Sequence, residues 1–107
     1  MTNPSRPDPI DLIPLLTLEF LADPGHGWLQ VEMEHMRCLG IAGDISACSY
    51  IGCDGRTAYL EEDCDAPLYI DACRKAGISV ALREHHCDGD SFIRRLPVYA
   101  AHPRHIG

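Results

Sequence analysis

At 107 residues and 46% apolar side chains, the chain can bury one compact core but not two. Sixteen acids against nine bases leave a formal charge of -7, and Lys75 is the single lysine. That balance argues against direct duplex DNA binding, which depends on clustered cations and released counterions, and favours solubility or a basic protein partner.

Residues 1–9 carry Pro4, Pro7 and Pro9 and read as a flexible tail without the basic start and apolar run of a secretory signal. The apolar stretch Ile10–Leu21 is broken by Pro14 and Glu19 and is too short for the roughly 20 residues that cross a bilayer, so no membrane association is expected. Within it, Leu16, Leu18 and Phe20 alternate with Thr17 and Glu19, which suggests a strand, although a short helix after Pro14 fits almost as well. Asp23-Pro24-Gly25-His26-Gly27 is a strong breaker. Trp28–Val31 then reads as a strand, and Glu32–Leu39 as a short helix with Met33, Met36 and Leu39 on one face and Gly40 as its left-handed stop.

Ala47–Ile51 and Thr57–Glu62 read as strands around Cys53-Asp54-Gly55-Arg56. Asp-Gly favours positive φ, and a two-residue turn there sets Tyr50 opposite Tyr59. Ala66–Ala76 is the clearest helix: Asp65 is placed to cap it, Pro67 suits its first turn, and Arg74 and Lys75 suit its negative end. Tyr69, Ala72, Cys73 and Ala76 share its apolar face. After Gly77, the alternation of Ile78, Val80 and Leu82 predicts a half-buried strand, His85–Ser91 a polar turn, and residues 102–107 a frayed end. The pattern is a single α+β domain over residues 10–101, βαββαβ-like, with an antiparallel or mixed sheet, two helices on one face and room for an extra N-terminal strand.

Tyr59-Leu60-Glu61-Glu62-Asp63-Cys64-Asp65-Ala66-Pro67, followed by Ser91-Phe92-Ile93-Arg94-Arg95-Leu96-Pro97-Val98-Tyr99, resembles small uncharacterised proteins of bacterial mobile elements, phages and plasmids. Gly25-His26-Gly27-Trp28-Leu29 ahead of Leu39-Gly40-Ile41 belongs to the same resemblance, which covers residues 25–99. It implies a cytoplasmic accessory protein acting on a host system, and it implies no catalytic residues.

Four clusters carry chemistry. Glu61, Glu62, Asp63 and Asp65 crowd a strand-to-helix junction; Asp65 is expected as the cap, and Glu61, Glu62 and Asp63 as an exposed, partner-facing acidic surface. Arg94 and Arg95 are the one basic spot, able to clamp an anion but expected to pair with Glu61, Glu62 or Asp63. His85, His86 and Cys87, joined by Cys64, are the residue types of a zinc site, without diagnostic spacing. His26, between two glycines, sits on a loop beside Trp28, with no placed nucleophile to complete a catalytic pair. Six cysteines without a signal peptide point to free thiols in a reducing cytoplasm. These features favour a non-enzymatic accessory or inhibitor protein without a cofactor, binding a basic or nucleic-acid-binding host protein. The alternative is a zinc protein or metal-dependent hydrolase using Asp63, Cys64, His85, His86 and Cys87.

Overall fold

Two helices are threaded between five strands in the computed structural model, which describes residues 14–99. In chain order these are β1 (Leu15–Ala22), β2 (Gly27–Glu32), α1 (Met33–Leu39), β3 (Tyr50–Ile51), β4 (Thr57–Glu61), α2 (Ala66–Lys75) and β5 (Ser79–His86). Short 3-10 turns lie at Ala42–Asp44 and Phe92–Arg95. The expected tails, residues 1–9 and 102–107, lie outside the described residues.

The sheet order is β3-β4-β2-β1-β5, with β1 and β5 parallel and every other pair antiparallel. This is the α+β fold with a mixed sheet that the alternation predicts. The segment with two readings, residues 15–21, is a strand, and it is inserted between β2 and β5. With β1 set aside, the remaining order is that of two interleaved, split β-α-β units.

Both helices pack on one sheet face. There Leu29 and Val31 of β2 and Ala58 and Leu60 of β4 meet Met33 and Met36 of α1 and Tyr69 and Cys73 of α2. Period-2 alternation sends these strand residues inward, and helical spacing brings the helix residues down onto them. Gly40 ends α1 at φ 76°, a left-handed conformation that glycine adopts without penalty.

The hairpin keeps the predicted register, Tyr50 opposite Tyr59, but its loop is wider. Gly52 N–H donates to the Thr57 carbonyl and Gly55 N–H to the Gly52 carbonyl, so Cys53–Arg56 forms the loop instead of Asp54-Gly55 alone. β3 is also shorter than predicted, because residues 46–49 are drawn into side-chain bonds with Asp65. β5 is longer: pairing of Leu21 with His85 and of Ala22 with His86 carries the strand through residues expected in a turn.

β1 pairs with β2 at only three positions, Phe20 to Ala22, and with β5 along all eight. Before Phe20, β1 and β2 part around a cleft of about 330 Å³ whose walls include Leu18, Val31, His35 and Tyr69.

The opposite sheet face is crossed by the chain after β5. Phe92 meets Tyr59 edge-on and Arg94 lies over Trp28, after which the backbone around Val98 pairs with Tyr50 along the outer edge of β3. Among the described residues, no helix is long and apolar enough to cross a membrane.

Candidate functional site

The start of β2 and the end of β4 meet through the pair Trp28–Glu61, and the loops at this end of the sheet converge there. The breaker before β2 is organised by Asp23. Its carboxylate accepts hydrogen bonds from the Gly25 and His26 N–H groups at 3.0 and 2.9 Å, an Asx turn of the kind Asp-Pro-Gly favours. It also accepts from Ser91 N–H at 2.9 Å and from Arg94 Nε and Nη2 at 2.6 and 2.9 Å. The side chain has 0% exposure. The Arg94 guanidinium, aided by the three N–H donors, holds the Asp23 carboxyl well below the usual carboxylate range, and Asp23 in turn raises Arg94.

Arg94 stacks 5.3 Å from the Trp28 ring centroid. The indole is buried between Arg94, Tyr50 and His26, with ring centroids 6.2 and 6.0 Å away for the last two. Trp28 Nε1 is buried without a hydrogen-bond partner among the described residues.

Glu61 closes the other side. One of its oxygens accepts from the N–H groups of Asp63 and Cys64 at 2.8 and 3.0 Å, and the other lies 3.2 Å from His26 Nδ1. Burial opposes ionisation of Glu61, but these donors outweigh it and leave the pKa below its ordinary value. The His26 ring is thereby oriented by a carboxylate while half of its side chain remains exposed.

Asp65 occupies the N-cap position of α2 but makes no side-chain cap bond. Its backbone is close to helical (φ -111°, ψ -27°), unlike the extended geometry typical of a capping residue. The buried carboxylate accepts instead from Ser46 N–H at 3.0 Å, Ser46 Oγ at 2.7 Å and Ser49 Oγ. Ser49 Oγ also accepts from Glu61 N–H at 3.0 Å. The 46–49 turn and the β4–α2 turn are therefore locked together.

A pocket of about 370 Å³ opens between these turns, with His26, Cys48, Tyr50, Asp63, Cys64 and Arg94 in its wall. Its two cysteines are exposed. The neighbouring Cys48 thiol and the Glu61 carboxylate push the Cys64 pKa up to about 12.

Of the acids expected on the surface, Glu62 and Asp63 are exposed, whereas Glu61 is buried because His26 and the turn amides use both its oxygens. The three carboxylates lie within 4.8 Å of one another. Arg94 reaches the same pocket but pairs with Asp23, not with Glu61, Glu62 or Asp63; Arg95 is exposed beside it. The zinc set is not assembled. β2 and β1 separate β4, which leads to Cys64, from β5, which carries His85 and His86. His85 turns to Glu19, His86 to Glu84, and the Cys87 thiol to the Gly89 carbonyl at 3.1 Å. Adjacent strand residues point to opposite faces, so His85 and His86 do not converge.

Searches of protein-family models, curated proteins and solved structures give no match to this chain.

Proposed function

We propose that this chain is a non-enzymatic accessory protein of a mobile element that binds, and thereby inhibits, a basic host protein in the cytoplasm. The observation that carries this reading is the β4–α2 turn. Glu61 is spent internally on the amides of Asp63 and Cys64, and the result is a fixed turn that presents Glu62 and Asp63 to solvent. A surface already ordered before contact loses less freedom on binding. Its two exposed carboxylates add to an overall charge of -7, which steers a cationic partner. Six free thiols suit a reducing compartment.

The test uses the full chain as bait in bacterial extract, beside the variant Glu62→Lys/Asp63→Lys, with thermal melts to show that both are folded. The expected result is a basic protein retained by the wild type, reduced about tenfold or more by the reversal, and weakened by added salt. Equal capture by both baits, or no protein retained at low salt, overturns the reading.

A further inference from the structure

We propose that Cys48 and Cys64 form a reversible dithiol–disulfide site whose oxidising co-reactant is a hydroperoxide. The two cysteines lie on different loops, sixteen positions apart, yet their chain neighbours are bonded directly: Ser49 Oγ donates to Asp65 Oδ2. Ser46 adds two more bonds to the same carboxylate, and Glu61 N–H donates to Ser49 Oγ. Buried hydrogen bonds thus hold both loops while the thiols stay exposed in one pocket. Elsewhere Cys73 is sealed in the core, and Cys87 directs its thiol to the Gly89 carbonyl.

His26, oriented by Glu61, stands in the same wall as both thiols, and the proton of the attacking thiol passes to solvent, which reaches the exposed sulfur. Cys64 keeps its proton, with a pKa of about 12 beside Cys48 and Glu61, and takes the resolving part.

The sequence balances with hydrogen peroxide. The Cys48 thiolate attacks one peroxide oxygen, the O–O bond breaks, and the departing hydroxide takes a proton to become water, leaving Cys48 as the sulfenic acid. The Cys64 sulfur then attacks the Cys48 sulfur. The S–O bond breaks as the S–S bond forms, and the released hydroxide takes the Cys64 proton as a second water. Two electrons pass from the sulfurs to the peroxide; two equivalents of an external thiol return them and leave as a disulfide.

The experiment needs no binding partner and so stands apart from the docking proposal. The reduced full-length protein is treated with hydrogen peroxide near equimolar, quenched by alkylation, and read by intact mass and by fragment-ion mapping of the joined peptides. The expected product is a monomer two hydrogens lighter, bridged between Cys48 and Cys64 and restored by dithiothreitol. Cys48→Ser and Cys64→Ser, shown folded by thermal melts, each reduce internal bridging by about tenfold or more, whereas Cys53→Ser leaves it unchanged. Bridges through Cys38 or Cys53, disulfide-linked dimers, or sulfinic acid on Cys48 with Cys64 still free each overturn the proposal. Fragment mapping of the wild type decides the matter even if a variant fails to fold.

Discussion

The half of the sheet formed by β2, β3 and β4 and the parallel ribbon of β1 and β5 hold their backbones in different ways. In the first, Leu29, Leu60 and Met36 are fully buried, and Asp23, Glu61 and Asp65 anchor loops from beneath the surface. In the ribbon, every β5 residue is exposed or half-buried, and Leu82 is 42% exposed. Its outer face carries Glu19 between Arg83 and His85, ion pairs at the surface and therefore weak. Parallel strands ordinarily have both faces covered. Here eight ladder pairs with cover on one side leave the ribbon less protected than the anchored half, and local opening should begin there.

The largest expected effect comes from removing an anchor. Asp65→Ala strands the buried Ser49 hydroxyl and the half-buried Ser46 donors and should lower unfolding free energy by about 3 kcal/mol in urea denaturation. A loss typical of an exposed helix cap, about 1 kcal/mol, would mean that the 46–49 turn relaxes onto water.

Acid should act next, on the same half. Asp23 and Glu61 have folded pKa values below their ordinary 3.8 and 4.5, so between folded and ordinary values the unfolded chain binds more protons. Their stabilisation is present above about pH 5 and drains away as pH falls through the folded values. Thermal melts from neutral to acid pH should show this decline, and Asp23→Asn should flatten it. An unchanged profile in that variant would remove Asp23 from the account.

The smallest effect belongs to the ribbon. Leu82→Lys should shift stability by no more than about 0.5 kcal/mol, and β5 amides should exchange hydrogen faster than those of β4. A large destabilisation at Leu82 would show that the ribbon carries more of the fold than its burial suggests.

Local rules made several elements legible. Pro67 and Gly77 bracketed α2, and Asp54-Gly55 gave the Tyr50–Tyr59 register despite a loop of different width, whereas alternation in residues 15–21 left strand and short helix both open until the pairing with β5 decided for the strand. The site was harder to read, because its bonds join distant positions. Asp23 carries the local mark of an Asx turn, but nothing nearby in sequence indicates Arg94, 71 positions on. Strand alternation sends Glu61 to the face opposite the helices, which would be solvent if the chain ended at β5. The segment after β5 and the His26 loop cover that face, so an acid expected outside is inside. Asp65 was legible by position and misread by role, since a cap and a loop anchor use the same short carboxylate.

Trp28 is the only indole in the chain, enclosed by a guanidinium, an imidazole and the ring of Tyr50, and it borders the same pocket as two thiols. The protein therefore carries one built-in fluorophore where these groups meet. Its emission should follow loosening of Arg94 and changes at the sulfurs without any attached dye, and each can be timed in solution on the unmodified chain.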